Sequence, residues 1–284
     1  MNILIVGGDS MIGKHLGEKL KFLNINYYAS TKDNKQNLKA NFLHINLANF
    51  NENWDVPMIN WDWIIMCAGI STIKDCEDNP EWSRFINVKQ SIALLEKLVS
   101  KGSSIFFFST SLVFDKNNEF PKLHNTPNPI CEYAKQKYEV ENFLINNFKN
   151  NYIVLRLSKV LDSNSKLINN WISNLKDNQM IYPFKDSYIY PVFIDNLIDL
   201  IIHLIYNSKR GIYNFSGISK ISYSNIAFLI AKTLELDESL IKPIQKLNKH
   251  NYFGSTNLEN SFLCKPFVED YIIGLSKLYK ITNH

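Results

Sequence analysis

The chain has 284 residues, 45% of them apolar and 20% charged, with a formal net charge of +4, which is enough to bury a large core as one domain or as one domain with a lobe attached. Its lysines are scattered among asparagines instead of forming a basic stripe, so nucleic acid is not an expected partner, and no apolar run reaches the roughly 18 residues needed to span a bilayer. Four cysteines (Cys67, Cys76, Cys131, Cys264) without Cys-x-x-Cys spacing and six scattered histidines argue against zinc. With no basic leader at the amino terminus, a cytoplasmic protein with reduced thiols is expected.

Asn2 to Val6 is an apolar run that enters Gly7-Gly8-Asp9-Ser10-Met11-Ile12-Gly13 and then a helical pattern through Phe22. A strand, a glycine turn and a helix make a dinucleotide-binding start, because backbone N–H groups and the helix amino end meet a pyrophosphate. The second strand, Asn26 to Ala29, ends in Ser30-Thr31-Lys32. The carboxylate that would hold the ribose 2′-hydroxyl of NAD is missing there, and Asp33 comes later, in the loop. Two small hydroxyls and a lysine suit a 2′-phosphate, so NADP is expected over NAD, although an ordinary polar loop would look the same. A third strand runs from Phe42 to Ile45 before Asn46-Leu47, and a fourth from Trp61 to Met66 before Cys67-Ala68-Gly69. Asn79-Pro80 opens a helix with a cap and a first-turn proline, its apolar positions Phe85, Ile86, Ile92, Leu95 and Leu98 recurring at helical spacing.

Ile105 to Phe108 reads as a buried strand that breaks into a polar turn at Ser109, Thr110 and Ser111. Pro127-Asn128-Pro129 follows, then Tyr133-Ala134-Lys135-Gln136-Lys137, with Glu141 on the same predicted helix. Tyr133 and Lys137 are four apart and share one helical face. A free tyrosine, with a pKa of about 10, is a poor acid at neutral pH; a fixed positive charge beside it is expected to lower that value into a working range. Taken alone the pair could equally be a solvated helix face.

This constellation resembles the extended short-chain dehydrogenase/reductases, and most closely the dTDP-4-dehydrorhamnose reductase-like branch. The resemblance rests on Ser109-Thr110-Ser111-Leu112-Val113-Phe114-Asp115 at the strand end, on Pro129 through Tyr133 to Lys137, and on likeness as far as about Ser261. It implies a Rossmann-type, doubly wound α/β sheet over residues 1–160. A smaller, discontinuous substrate lobe follows over 161–284, with about 192–215 returning to the sheet and a cleft between the parts. It implies that Gly7, Ser10, Met11, Ile12 and Gly13 hold the cofactor's phosphates, Asn46 and Leu47 its adenine, and Cys67, Ala68 and Gly69 its ribose and nicotinamide. Ser10 stands where the branch has its middle glycine; a serine still offers its N–H and a hydroxyl there, though a backbone angle that only glycine adopts would be strained. Asn87-Val88 matches a structural amide near the site.

The implied chemistry is hydride transfer from NADPH to a nucleotide-linked keto sugar. Tyr133 would donate the proton, Lys137 would tune it and hold the nicotinamide ribose, and Thr110 would orient the carbonyl oxygen. Asp186, Pro191 and Asp195 match the branch, whereas Lys159 replaces a common tryptophan and Tyr252-Phe253 an Arg-Pro pair. Lys159 is thus expected to touch a substrate anion, or else to point into solvent. Two other functions remain in view: a nucleotide-sugar epimerase or dehydratase that keeps its NAD, and a non-catalytic dinucleotide-binding subunit like the regulatory subunit of methionine adenosyltransferase. A homodimer is compatible with the branch, and no motif here fixes a divalent metal.

Overall fold

A computed structural model of the chain describes residues 1–33, 41–49, 54, 56–57, 59–100, 102–115, 121–162 and 165–246. Ile3–Val6 forms β1, four apolar residues buried throughout, as a strand covered on both faces requires. It is followed by α1 (Met11–Phe22), β2 (Tyr27–Thr31), β3 (Phe42–His44) and β4 (Trp63–Met66). Short helices α2 (Ile73–Asp78) and α3 (Pro80–Arg84) lead through a π-helical turn, Phe85–Gln90, into α4 (Ser91–Leu98). Pro80 does open α3, but the Asn79 side chain makes no capping bond; the Asn79 carbonyl instead accepts from the Ser83 amide at 3.0 Å.

Next come β5 (Ser104–Thr110), a 3-10 turn at Ser111–Val113, α5 (Glu132–Asn147) and β6 (Tyr152–Leu157). The strand therefore keeps Ser109 and Thr110, two residues beyond its expected end, and only Ser111 lies in the turn. The chain continues through β7 (Val160–Leu161), α6 (Lys166–Lys176), β8 (Tyr188–Ile189), β9 (Val192–Phe193), α7 (Ile194–Tyr206), β10 (Gly211–Phe215), β11 (Ile221–Ser222) and α8 (Tyr223–Thr233).

Seven strands form one parallel sheet in the order β10-β6-β5-β4-β1-β2-β3, flanked by helices, which is the expected Rossmann-type α/β arrangement. Ile3 pairs with Tyr27 on one side of β1 and with Trp63 on the other. The order reverses between β1 and β4, and such a switch point leaves a crevice at the carboxyl ends of the strands. On one sheet face Leu4, Val6, Ile64, Met66, Ile105 and Phe107 join Leu94, Leu95 and Leu98 of α4 and Val140 and Leu144 of α5 in a single apolar cluster. Each such side chain contributes about 1.5–3 kcal/mol by burial, so α5 is held to the sheet by its apolar stripe.

The chain divides into two compact units. The first takes Met1–Asp115, Leu123–Arg156 and Ile198–Asn214; the second takes Leu157–Leu197 and, among the described residues, 121–122 and 215–246. In the second unit β7 pairs with β9 in parallel and β11 with β8 antiparallel, and Trp171 of α6 meets Tyr223 of α8 edge-on at 6.4 Å. Among the described residues no helix is long and apolar enough to cross a membrane.

Candidate functional site

The glycine turn follows β1 at the switch point. Gly7 has φ +89°, and a Cβ there would lie 2.6 Å from the Ala68 nitrogen; at Gly13 it would lie 2.3 Å from the Gly7 oxygen. The turn therefore closes onto the end of β4 and onto its own helix only without side chains. Gly8, which sequence reasoning left out of the site, is equally confined, its Cβ position lying 2.7 Å from the Ala29 Cβ. Ser10 carries no strain. Its φ is −68°, an ordinary value, and it is the N-cap of α1, its Oγ accepting from the Gly13 amide at 3.0 Å and donating to the Gly7 carbonyl at 2.7 Å. A serine serves here because the turn needs a cap at this position rather than a left-handed backbone. Met11 and Ile12, both partly exposed, begin the helix, so the cradle is a turn opened by two glycines beneath a helix amino end. That is the donor set a pyrophosphate needs.

Ser30 and Thr31 lie inside β2 and are buried. The Ser30 Oγ accepts from the Gly7 amide at 2.8 Å, and the Thr31 Oγ1 accepts from the Asp33 amide at 3.1 Å. Both hydroxyls shape the turns around them, which leaves Lys32 as the exposed member of the triplet. The Asn46 Oδ1 accepts from the Ala48 amide at 2.9 Å and its carbonyl from the Trp54 indole at 3.2 Å. Leu47 packs into the core cluster.

At the end of β4 the Cys67 amide donates to the Val6 carbonyl at 2.8 Å. The Cys67 thiol is pushed up to about 12 by burial, with Lys137 and Ser10 opposing. Gly69 has φ +145°, and a Cβ there would lie 2.9 Å from the Asn87 Oδ1. Asn87, in the π-helical turn, accepts from the Ile70 amide at 2.7 Å and donates to the Ile70 carbonyl at 2.9 Å. The expected structural amide is thus a clamp on the segment after β4.

Tyr133 and Lys137 fall in the first two turns of α5 and both are partly exposed. The Lys137 ammonium sits 4.7 Å from the Phe107 ring centroid and 5.9 Å from that of Tyr133. Burial lowers Lys137 to about 8, with Cys67, Cys76 and Glu141 opposing. Tyr133 runs against the expectation: its phenol is raised, chiefly by burial and then by Cys76 and Cys131. Desolvation of the phenolate sets the direction, and Lys137 is not among the groups that shift it. Thr110, buried at the end of β5, accepts from the Leu112 amide at 3.2 Å and so caps the 3-10 turn.

What holds α5 in place was not read from the sequence. Gln136, fully buried between Tyr133 and Lys137, accepts from the Asn87 Nδ2 at 2.8 Å and donates to the Ser83 Oγ at 2.8 Å. Glu141 accepts two bonds from the Arg156 Nε at 3.2 Å, one from its Nη2 at 2.6 Å and one from the Ser109 hydroxyl. A polar residue inside the stripe Ala134, Val140 and Leu144 was the available signal for Gln136.

In the second unit Lys159 is exposed, with its carbonyl accepting from the Val192 amide at 2.9 Å. Its ammonium is lowered by desolvation, because neighbouring protein shields the charged end although the residue as a whole reaches solvent, and no ion pair to it occurs among the described residues. Asp186 accepts from the Lys246 amide at 3.0 Å. Tyr252-Phe253 and Cys264 lie outside the described residues.

A family model described as the RmlD substrate binding domain matches residues 1–252. Methionine adenosyltransferase 2 subunit beta of Xenopus tropicalis is 24% identical over 192 residues, covering 64% of this chain; the chain spans 57% of that relative's length. Among solved structures, dTDP-4-dehydrorhamnose reductase from Bacillus anthracis in complex with NADP matches with TM-score 0.79 and 20% identity, over 99% of this chain and 98% of that one. UDP-glucose 4-epimerase from Thermotoga maritima with UDP-glucose matches with TM-score 0.79 and 18% identity over the whole of both chains.

Proposed function

The chain belongs to the RmlD substrate binding domain family, and from that premise we propose that it is an NADPH-dependent reductase of a nucleotide-linked keto sugar. The observation that carries the reading is Lys137, whose ammonium lies 4.7 Å from the ring of Phe107, the β5 partner of Met66 just before Cys67-Ala68-Gly69, and 5.9 Å from the ring of Tyr133. One side chain thus joins the dinucleotide cradle to the proton donor.

When bound, the dinucleotide supplies the hydride. Gly7, Ser10, Met11, Ile12 and Gly13 hold its pyrophosphate, Lys32 its 2′-phosphate, with Ser30 and Thr31 shaping that edge. Asn46 and Leu47 flank the adenine, and Cys67, Ala68 and Gly69 the ribose and nicotinamide. Tyr133 gives its proton to the sugar carbonyl oxygen as that oxygen gains charge. A raised phenol suits this role, because the proton stays on until the oxygen calls for it. Lys137, charged below about pH 8, stabilises the phenolate left behind. The Thr110 oxygen takes the Leu112 amide, which leaves its hydrogen to donate to the same substrate oxygen. Lys159, a flexible cation where the branch commonly has an aromatic ring, meets an anionic group of the substrate, so the preferred sugar is not dTDP-4-dehydrorhamnose.

A regulatory dinucleotide-binding subunit is the second reading, favoured by the similarity to methionine adenosyltransferase 2 subunit beta. A protein that only binds has no need of a positioned phenol and ammonium. The deciding experiment is NADPH oxidation with a panel of nucleotide-linked keto sugars. Oxidation with at least one member, weakened by Lys159→Ala, is expected; binding of NADPH without oxidation across the panel favours the regulatory subunit, and efficient reduction of dTDP-4-dehydrorhamnose unaffected by Lys159→Ala refutes the substrate assignment.

A further inference from the structure

Behind the candidate catalytic side chains lies a buried polar unit to which the reaction just described gives no role. Ser109, Glu141 and Arg156 are 4%, 0% and 2% exposed. Arg156 of β6 forks onto the Glu141 carboxylate of α5, with Nη2 at 2.6 Å and Nε at 3.2 Å from both oxygens, and the Ser109 hydroxyl of β5 donates to the same carboxylate. The guanidinium lies 5.0 Å from the Phe114 ring centroid. Ser109 immediately precedes Thr110, and Phe114 immediately follows the 3-10 turn that Thr110 caps. Both ends of the Thr110 segment therefore rest on one ion pair.

Glu141 also stands one helical turn beyond Lys137 and two beyond Tyr133, so the three share a face of α5. An apolar pair of similar volume in place of a buried ion pair is commonly as stable or more stable, so stability alone does not explain charge at this position.

Resting on the reductase reading, we propose that Glu141 is a positioning residue: fixed by Arg156, its carboxylate anchors the β5 end that carries Thr110 and supplies the counter-charge for Lys137. The groups facing the Lys137 ammonium are Cys67 from the end of β4, Cys76 from α2, Phe107 from β5, and Tyr133 and Glu141 from its own helix. Of these, Glu141 is the carboxylate, and it acts to keep Lys137 protonated while burial pulls the other way.

The test is NADPH affinity and turnover as functions of pH in wild type, in Ser109→Ala and in the double variant Glu141→Leu/Arg156→Met, whose apolar pair is chosen to preserve volume and folding. Wild-type NADPH affinity is expected to fall as pH rises through about 8, where Lys137 loses its proton; Tyr133 and Cys67 titrate higher. In the double variant this alkaline limb should move to lower pH, because the carboxylate that helps keep Lys137 protonated is gone, with turnover at neutral pH reduced roughly tenfold. Ser109→Ala keeps the carboxylate and should lower turnover while leaving the limb in place. If the apolar pair fails to fold, Glu141→Gln/Arg156→Gln reads the same limb with volume and an acceptor for Ser109 retained and no buried charge left unpaired. A folded variant whose limb coincides with that of wild type overturns the role of Glu141. A wild-type chain that binds no NADPH at any pH refutes the reductase reading itself, and the proposal with it.

Discussion

The helix that carries Tyr133 and Lys137 and the segment that carries Lys159 are built on opposite plans. Tyr133 and Lys137 are carried by an element whose buried polar groups are paired inward, Gln136 to Asn87 and Ser83, Glu141 to Arg156 and Ser109. Lys159 stands exposed in the second unit with its backbone tied to Val192 and no ion partner among the described residues. Groups that must meet reacting atoms are fixed by internal partners, because misplacement of about an ångström costs rate steeply. A group that only recognises an outer part of a substrate can be left free to find it. The comparison predicts large effects from touching the anchored helix and small ones from touching the free cations.

The largest effect should come from Tyr133→Phe, which keeps the ring and removes the proton. Turnover should fall by about 10²-fold or more while NADPH affinity changes little; stopped-flow oxidation and titration calorimetry read the two separately. Next is Gln136→Leu, which strands the Asn87 and Ser83 groups that it now pairs. A loss of about 1–3 kcal/mol in urea-unfolding stability is expected, together with slower turnover as α5 shifts, and an unchanged unfolding midpoint would break the link between buried pairing and the site.

Lys137→Met sharpens the comparison from the other side. The folded-state value of Lys137, about 8, lies below its ordinary 10.5, so the unfolded chain binds the extra proton between those values. Its burial therefore opposes folding in full below pH 8, and that cost fades as pH rises toward 10.5. The variant should be more stable than wild type by about 1 kcal/mol at neutral pH, the gain vanishing in alkali, while turnover is lost. Chemical-denaturation curves at pH 7 and pH 10 check the sign. The smallest effect belongs to Lys32→Ala: an exposed cation contributes little, so the preference for NADPH over NADH should narrow only several-fold by calorimetry.

Much of this was legible in the chain. The strand-turn-helix at Gly7–Gly13 and the Tyr133–Lys137 spacing are local patterns, and local patterns survive folding: α1 begins at Met11 and α5 carries both residues on one face. What escaped was non-local. Whether Ser10 would be strained or would serve, as it does by capping α1, stayed open, because the sequence does not reveal whether a turn needs φ > 0. Asn79 was read as a side-chain cap and is not one. The direction of the Tyr133 shift depends on how much protein surrounds the phenol, which no spacing reports. Gln136 finds its partners 49 and 53 residues away, and such pairings exist only once α3, the π-helical turn and α5 are packed together.

The account stands or falls on the fate of the hydride. The direct measurement is the ratio of product formed to NADPH consumed, over many turnovers, for the best nucleotide-linked keto sugar in the panel. A reductase consumes one NADPH per product, and a ratio of one, abolished by Tyr133→Phe with binding intact, is the predicted result. Product formed without net consumption of added NADPH, from a chain that keeps a bound NAD, would contradict it and make the protein an epimerase or dehydratase.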